Sequence, residues 1–449
     1  MARFFPFLVL ATILLPVAAS QPQPSASIVR VHVLGQEQPR SVVLRAVDGP
    51  ASVMLDRDGV VAATLQPGET AEVERLHDRL RLTMPALTIQ AGVVELIPNP
   101  DAHLTVRTRS QRRAYPGRLV VEGAGDALRL VNHAPLPRYV ASVVASEYPF
   151  PEPEGVKAQA VLARTYALRH LDPEAPFDLV DDTRAQVYRG LDATTPVSRA
   201  ATQDTRGEVL TYRDELADAT YYSSSGGHTA GNEEVWNGRP VPYLRPRPDP
   251  YDADAPDHRW TTTAASAEVL RALSRRFGGS VTGIDITRRT ASGRVARVRL
   301  HGGRTPTISG AQFRSTINAA LGIRTIRSTH FTVERDGSRY LFHGRGFGHG
   351  VGMSQYGARG LARSGRSYRD ILAYYFEGTT LDVHDFVGVE PALVEYAGPV
   401  RRRPTPRREA RTSAVDAIVE QLSAAPTWSG TAEKDQEEVP APQPRRRSW

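Results

Sequence analysis

The chain contains no cysteine, and this absence excludes several classes of protein. Without thiols there can be no disulfide framework, no thiolate metal site, no cysteine nucleophile and no lipid-acylated cysteine. The glycine-rich segment that begins at Gly344 lacks the G-x-G-x-x-G pattern, and G-x-x-x-x-G-K-[ST] is also missing, so a phosphate-binding loop is not indicated. The segments around Ser224 and Ser354 lack the G-x-S-x-G elbow, which argues against a serine hydrolase.

Long apolar runs are confined to the N-terminus. Residues 1–20 contain Arg3, an apolar run from Phe4 to Val17 and then three small residues, which is typical of a signal peptide. No later stretch approaches the roughly 20 apolar residues that a membrane-spanning helix needs. We therefore expect export to the periplasm, the cell envelope or the medium, with an uncleaved N-terminal membrane anchor as the alternative.

A length of 449 residues predicts two or three domains, and a composition of 40% hydrophobic and 23% charged residues is ordinary for a globular protein. Residues 27–110 alternate apolar and polar positions over short runs, which predicts a small β-rich region. Residues 390–449 are rich in proline and arginine, which predicts a disordered tail.

The net charge of +7 leaves several partners open. Basic clusters can bind nucleic acid, an anionic membrane or the acidic groups of a bacterial wall. Because we expect export, we favour the wall and predict no nucleic-acid partner. The alternative is that arginine merely replaces lysine in this composition and that the basic tail is a solvated leash.

Helical and antiparallel patterns mix in the second half of the chain. A capped helix is predicted from Ser266, a hairpin turning at residues 291–293, and a further helix over Ser309–Leu321. Ser367 begins a capping-box pattern for one more helix. The predicted fold class is therefore α+β.

One glutamate occupies an unusual position between two helical patterns in the stretch from Tyr139 to Leu168. The first pattern must end by Tyr148, because Pro149 disfavours the helical conformation of the residue before it. Glu147 then lies in the last helical turn, where backbone carbonyls and any burial would raise the pKa of its carboxyl group. A raised pKa suits a proton donor near neutral pH; the alternative is a solvated glutamate at a helix end.

Four sequence blocks follow one another in a fixed order. They read Y-V-A-S-V-V-A-S-E-Y-P with K-A-Q-A-V-L-A-R-T-Y-A-L, then D-D-T-R-A-Q-V-Y-R-G, Y-Y-S-S-S-G-G-H-T and G-R-G-F-G-H-G-V-G-M-S-Q-Y-G-A. In this order they resemble the SpoIID/LytB family of peptidoglycan-active proteins, which includes sporulation proteins and amidase enhancers. The resemblance covers residues 114–385, which are expected to form the family's mixed domain of helices and antiparallel strands.

The resemblance implies lytic transglycosylation of the bond from N-acetylmuramic acid to N-acetylglucosamine, with Glu147 as the catalytic acid and then base. No cofactor is expected. The resemblance also implies glycan strands, without stem peptides, as the expected partner, together with a cell-wall amidase. The alternative function within the family is a non-catalytic enhancer that binds the wall and stimulates the amidase.

The matched blocks also imply a set of substrate-binding side chains. They are Lys157, Gln159, Arg164, Gln186, Tyr188, Ser224, His349, Ser354 and Gln355. Lys157 and Arg164 could equally be structural ion-pairing residues. His349 could line the cleft or be a satisfied core histidine. The glycine-rich segment could be a floor for a sugar chain or a tight structural crossing.

No metal site is predicted. Some relatives hold zinc near the Ser-Ser-x-Gly-Gly element through cysteine and histidine, but this chain has His228 followed by Thr229 and no cysteine. His343 and His349 are six residues apart with no carboxylate between them, which fits no standard metal-binding pattern.

Overall fold

The computed structural model describes residues 28–236 and 238–384. The predicted signal peptide at residues 1–20 and the predicted disordered tail at residues 390–449 lie outside the described residues. Within the described ranges, no helix has both the length and the apolar character needed to cross a bilayer.

The N-terminal part of the described chain is built from twelve β-strands. Their bounds are β1 Ile28–Val33, β2 Ser41–Val47, β3 Ala51–Leu55, β4 Val61–Leu65, β5 Thr70–Arg75, β6 Leu80–Met84, β7 Leu87–Ala91, β8 Val93–Pro98, β9 His103–Arg107, β10 Arg112–Pro116, β11 Arg118–Ala124 and β12 Ala127–Pro135. Alternation of buried and exposed positions explains why several of these segments are strands. In β6, for example, Leu80, Leu82 and Met84 are buried while Arg81 and Thr83 are exposed. The predicted β-rich N-terminal region is confirmed.

The rest of the chain contributes shorter strands. They are β13 Leu179–Val180, β14 Glu208–Tyr212, β15 Glu215–Leu216, β16 Tyr221–Tyr222, β17 Arg259–Ala265, β18 Gly279–Arg289, β19 Val295–Gly303, β20 Thr307–Ser309, β21 Phe331–Asp336, β22 Arg339–Arg345, β23 Met353–Ser354 and β24 Thr380–Val383.

The strands form two large sheets and four small ones. The large sheets have the orders β13-β1-β12-β11-β8-β3-β4 and β10-β9-β2-β5-β6-β7. The small sheets have the orders β15-β14-β24, β16-β23, β17-β22-β21 and β18-β19-β20. Pairing is parallel between β1 and β13 and between β16 and β23, and antiparallel between the other neighbouring strands.

Eight α-helices complete the described structure. They are α1 Leu136–Glu147, α2 Pro153–Arg169, α3 Pro196–Asp204, α4 Asn232–Trp236, α5 Ser266–Phe277, α6 Gly310–Leu321, α7 Gln355–Arg363 and α8 Tyr368–Tyr375. The alanine-rich α2 is central: Ala158, Ala160, Ala163 and Ala167 are fully buried, and α1, α3, α7 and α8 pack around it. Small side chains allow this close approach.

Buried apolar residues form two clusters. The larger one joins the N-terminal sheets to α1, α2, α7 and α8. The smaller one contains Trp260, Leu273, Phe313 and Phe342 and belongs to residues 259–345, which we call the inserted module. We call the other described residues the main body. The first and last strands of the module, β17 and β22, pair with each other, so the chain leaves and re-enters the main body at adjacent points. The division of the chain into domains stays a prediction.

The local patterns of the second half match the structure with one difference. The hairpin β18–β19 is present, and Ser309 and Ser367 cap α6 and α8 through capping boxes. The cap of α5 is different, since Ala265 occupies the N-cap position and Ser266 is the first helical residue. The predicted α+β class is confirmed.

Candidate active site around Glu147

Glu147 is the last residue of α1, as the proline after Tyr148 predicts. The backbone N–H of Tyr148 still donates to the Val144 carbonyl at 2.8 Å, and then the chain turns through exposed Pro149 into α2. The buried Tyr148 ring packs edge-on against Phe150, with ring centroids 4.9 Å apart. This aromatic pair anchors the corner, so the carboxyl group of Glu147 is carried by two packed helices and not by a loose loop.

The carboxyl group of Glu147 is partly buried and has one short backbone contact. Its Oε1 atom accepts a hydrogen bond from the Val187 N–H at 2.7 Å. Burial raises the pKa of Glu147 above its ordinary value, whereas the Val187 hydrogen bond, the Gln355 side chain and the positive charge of Arg189 each lower it. Burial prevails, so this carboxyl group holds its proton to a higher pH than a solvated glutamate does.

A chain of hydrogen bonds runs behind the carboxyl group. The Tyr139 hydroxyl donates to Gln186 Oε1 at 3.0 Å, and Gln186 Nε2 donates to the Tyr221 hydroxyl at 3.0 Å. The nearby charge of Glu147 raises the pKa of both tyrosines, after burial as the larger cause. Both phenols therefore stay neutral, and the fully buried Gln186 amide, which bonds to both hydroxyl groups, holds them in position near Glu147.

The parallel pair β16–β23 brings the glycine-rich segment to this site. Tyr221 lies opposite Met353 and Tyr222 opposite Ser354, so Gln355 follows directly beside them at the start of α7. Ser354 is buried and accepts a hydrogen bond from the Gly357 N–H at 3.1 Å as the N-cap of α7. The structure thus brings Gln355 to Glu147, and it uses Ser354 to begin the helix that holds Gln355.

His349 is partly buried between this segment and β16. Its Nδ1 atom accepts a hydrogen bond from the Val351 N–H at 3.1 Å, so Nε2 carries the ring proton and donates to the Tyr221 carbonyl at 3.0 Å. Burial lowers the pKa of His349 to about 3, which keeps the ring neutral. Both ring nitrogens are engaged inside the protein, so His349 positions the backbone of Tyr221, which corresponds to the core alternative.

Two α2 residues of the predicted substrate set, Lys157 and Arg164, have internal polar contacts. Lys157 Nζ lies 3.2 Å from Glu154 and 3.3 Å from Asp204. Arg164 is buried and donates to the carbonyls of Glu208 at 2.8 Å and Thr202 at 3.2 Å. These contacts correspond to the structural alternative for both residues.

Three further predicted residues, Gln159, Tyr188 and Ser224, are buried away from solvent. Gln159 is fully buried, and neither polar atom of its side chain has a hydrogen-bond partner in the described part of the chain. Tyr188 donates to Asn132 Oδ1 at 2.8 Å, and Ser224 Oγ donates to Asp252 Oδ2 at 2.7 Å. Substrate contact by these residues stays a prediction.

Several side chains near Glu147 were not selected from the sequence. Arg189 is exposed and close enough for its charge to lower the Glu147 pKa. Tyr221 stands at the end of the Tyr139–Gln186 chain, and the partly buried rings of Phe150 and Tyr356 pack with centroids 4.8 Å apart. Tyr221, Arg189 and Tyr356 lie inside the matched blocks, so membership of these blocks was the sequence signal that could have identified them.

Glycines of the segment 344–352 are required by close backbone approach. A Cβ atom on Gly346 would lie 2.5 Å from the Ser224 carbonyl oxygen, and one on Gly352 would lie 2.1 Å from the Thr220 carbonyl oxygen. Both residues also have positive φ angles, of 72° and 78°, which favour glycine. The segment therefore crosses the Tyr221–Thr229 block at van der Waals distance, which corresponds to the structural-crossing alternative.

No group of three His, Asp or Glu side chains within residues 28–236 and 238–384 is arranged to hold a metal ion. His228 Nδ1 lies 2.7 Å from the Thr229 carbonyl. His343 lies on β22 of the inserted module and bonds to Thr261, whereas His349 bonds to the Tyr221 carbonyl.

This geometry can be compared with known proteins. Residues 124–212, which contain α1, α2 and the Val187 contact, match the family model described as Stage II sporulation protein (SpoIID). Residues 250–352 match a model described as Domain of unknown function (DUF8618), which spans the inserted module.

Named relatives extend the match. The chain is 35% identical over 273 residues to Stage II sporulation protein D of Bacillus subtilis (strain 168), covering 57% of this chain and 76% of the relative. It is 32% identical to Stage II sporulation protein D of Bacillus amyloliquefaciens over 326 residues, which cover 68% of this chain and 92% of the relative. The protein named Amidase enhancer of Bacillus subtilis (strain 168) is 32% identical over 275 residues, 51% of this chain and 38% of the relative. The chain belongs to the SpoIID/LytB family.

Proposed function

We propose that this chain is a lytic transglycosylase that cuts the bond from N-acetylmuramic acid to N-acetylglucosamine in peptidoglycan glycan strands. One observation carries the proposal: Glu147 is a partly buried carboxyl group whose burial raises its pKa, at a rigid corner between α1 and α2. A carboxyl group that holds its proton can act as a general acid near neutral pH.

The first step is proton donation to the leaving group. Glu147 Oε1 accepts the Val187 N–H, which leaves Oε2 to carry the proton toward substrate. The proton passes to the glycosidic oxygen as the bond from C1 of N-acetylmuramic acid to that oxygen breaks, and an oxocarbenium-like centre develops at C1.

The second step returns the proton to the enzyme. The Glu147 carboxylate takes the proton of the sugar's own C6 hydroxyl, and O6 closes on C1 to give a 1,6-anhydro end. Between the two steps the anion is stabilised by the Val187 N–H, the Gln355 side chain and the charge of Arg189. Because the nucleophile is intramolecular, the reaction needs neither a positioned water nor a second carboxylate.

A second candidate is a non-catalytic wall-binding protein that stimulates an amidase. It is favoured by the name of one relative, Amidase enhancer. Both candidates bind glycan strands, and we propose peptide-free strands as the substrate. They differ at Glu147, whose proton only the enzyme needs.

The deciding experiment incubates purified wild type and Glu147→Gln with intact peptidoglycan and with peptide-stripped glycan. Mass spectrometry then measures anhydromuramyl ends. Loss of a general acid is expected to reduce their rate of formation by about 100-fold or more. Glu174→Gln is the matched control, because it makes the same change at an exposed glutamate outside the site.

Absence of anhydro ends with the wild type on both substrates would contradict the enzyme and favour the enhancer. The enhancer then predicts that wild type and Glu147→Gln stimulate a cell-wall amidase equally. An isosteric amide keeps an oxygen for the Val187 N–H, so folding of this variant is expected to be preserved, as circular dichroism can verify.

We also propose that residues 1–20 direct export. Cell fractionation of the full chain and of a chain beginning at residue 21 tests this. Cytoplasmic retention of both forms would contradict the proposal.

A further inference from the structure

The inserted module carries a cavity on the outer face of its sheet β17-β22-β21. The cavity has a volume of about 760 Å³ and lies outside the Glu147 site. Strand alternation explains its lining: Trp260 and Phe331 turn toward the module's core, so their neighbours Arg259, Thr261 and Thr332 face outward. The floor of the cavity is therefore a row of polar and basic side chains on adjacent strands.

Two arginines stand directly opposite each other in this row. Arg259 of β17 pairs in register with Arg345 of β22, and both side chains are exposed. Neither forms an ion pair with an acidic group of the described residues. Like charges opposite each other destabilise an antiparallel pair. A local conflict that the fold retains is a mark of a functional site.

A third arginine is oriented toward the same space by the backbone. Arg289 donates to the carbonyls of Gly293 and Phe331, both at 2.9 Å. These contacts hold the planar guanidinium group in place but leave its charge without a carboxylate partner among the described residues. A preoriented guanidinium group suits the paired oxygens of a phosphate or carboxylate.

One histidine of the cavity, His330, responds to this positive charge. Burial, together with the charges of Arg294, Arg345 and Arg289, lowers the pKa of His330 to about 4. The Nδ1 atom of His330 is buried and has no partner within the described residues. None of the eleven residues that line the cavity is acidic. The cavity thus concentrates positive potential that no side chain in its lining offsets.

We propose that this cavity, the basic pocket, binds the oxyanion groups, phosphate or carboxylate, of an anionic polysaccharide. The three arginines would contact the oxyanion. Thr261, whose hydroxyl lies 3.1 Å from His343 Nδ1, would meet sugar hydroxyls on the same face.

The same face argues against nucleic acid. Binding of single strands relies on exposed aromatic rings on which bases stack. The aromatic residues of the pocket are only 5% exposed for Trp260 and 2% exposed for Phe331, and Trp260 Nε1 is already bonded to the Gly346 carbonyl at 2.9 Å. The pocket therefore offers charge and hydrogen bonds but no stacking platform.

The test measures equilibrium binding of the full chain by isothermal titration calorimetry. The probes are a phosphomannan for phosphate, polygalacturonate for carboxylate, neutral dextran and a single-stranded oligodeoxynucleotide. We expect the wild type to bind at least one anionic polysaccharide and not dextran. The double variant Arg259→Gln with Arg345→Gln should lose affinity by about tenfold or more, because charge-assisted contacts are removed.

The matched control is the double variant Arg297→Gln with Arg299→Gln. It removes the same charge from exposed positions of β19 in the same module, outside the pocket, and should change affinity by less than about twofold. Equal losses in the two double variants would overturn the proposal in favour of non-specific attraction.

Two other outcomes would also overturn the proposal. One is binding of neither anionic polysaccharide. The other is tighter binding of the oligodeoxynucleotide with the same dependence on Arg259 and Arg345. The relative affinities of the first two probes decide between the phosphate and carboxylate sources. Binding needs no cleavage, so this test can fail while the transglycosylase proposal stands, and the reverse is equally possible.

Discussion

The main body and the inserted module treat charged groups in opposite ways. At the Glu147 site, a partly buried acid is surrounded by an N–H donor, an amide and the positive charge of Arg189, each of which moderates the effect of burial on its pKa. In the basic pocket, Arg259 and Arg345 face each other, and Arg289 is held only by carbonyl groups. The comparison separates a site suited to gaining and losing a proton from one suited to attracting a permanent negative charge.

The largest expected effect concerns the pH dependence of the Glu147 site. A general acid must be protonated, so the rate of anhydro-end formation should fall about tenfold for each pH unit above the raised pKa of Glu147. Arg189→Gln removes a charge that lowers this pKa, so the falling limb should move to higher pH. Arg184→Gln, an exposed control in the same segment, should leave the limb in place. A rate that is independent of pH would contradict Glu147 as the acid.

A second prediction concerns a buried acid near the junction of the two regions. Burial and the charge of Asp252 raise the pKa of Asp249 to about 7. In the unfolded chain Asp249 ionises from about pH 4, whereas in the folded protein it keeps its proton up to about pH 7. The free energy of unfolding of the wild type should therefore fall by on the order of a few kcal/mol as pH rises from 4 through 7. Asp249→Asn should lack this loss in denaturant unfolding, whereas exposed Asp126→Asn should retain it. Parallel pH profiles for wild type and Asp249→Asn would contradict the prediction.

A third prediction tests the rigidity of the corner that carries Glu147. A Cβ atom on Gly155 would lie 2.0 Å from the hydroxyl oxygen of Tyr148, whose buried ring cannot move aside. Gly155→Ala should reduce the free energy of unfolding by ~1–3 kcal/mol in urea denaturation.

The Tyr148 hydroxyl has no hydrogen-bond partner within the described chain, so Tyr148→Phe should cost little and should partly rescue Gly155→Ala. An unchanged free energy of unfolding for Gly155→Ala alone would mean that the corner between α1 and α2 can adjust, and would contradict its rigidity.

The smallest expected effect concerns the unbalanced charges. Arg345→Gln relieves the cross-strand repulsion with Arg259, so it should raise the free energy of unfolding by ~0.2–1 kcal/mol at low salt. Thermal unfolding at low and high salt measures this, since screening should reduce the gain. Arg299→Gln, opposite Asp285 on the neighbouring strand, should give no such gain. Destabilisation by Arg345→Gln would mean that the arginine pair is structural.

Parts of the Glu147 site were predictable because local chemistry decides them. Pro149 ends α1 whatever surrounds it, and the alanine spacing of α2 requires burial. The faces of residues 181–190 were not predictable, because this segment is largely irregular and has no period to read. Gln186 and Tyr188, which were predicted to bind substrate, are fully buried. The Val187 N–H and Arg189, which were not predicted, lower the pKa of Glu147.

The basic pocket could not be inferred from sequence. Its two opposing arginines belong to strands at the two ends of the inserted module, and only the register of β17 with β22 brings them together. The number of arginines in the sequence does not show which of them pair with acidic side chains. That the pocket arginines have no carboxylate partner among the described residues is evident only from the structure.

The adjacent ends of the inserted module have a consequence for how the Glu147 site is assembled. The Gly346 N–H donates to the His258 carbonyl at 3.2 Å, just beyond the paired ends of β17 and β22. The chain therefore returns to the main body beside the point where it left. Since Gln355 follows that return, the pairing of β17 with β22 sets the place at which this amide joins the carboxyl group of Glu147, although about 200 residues separate the two in sequence.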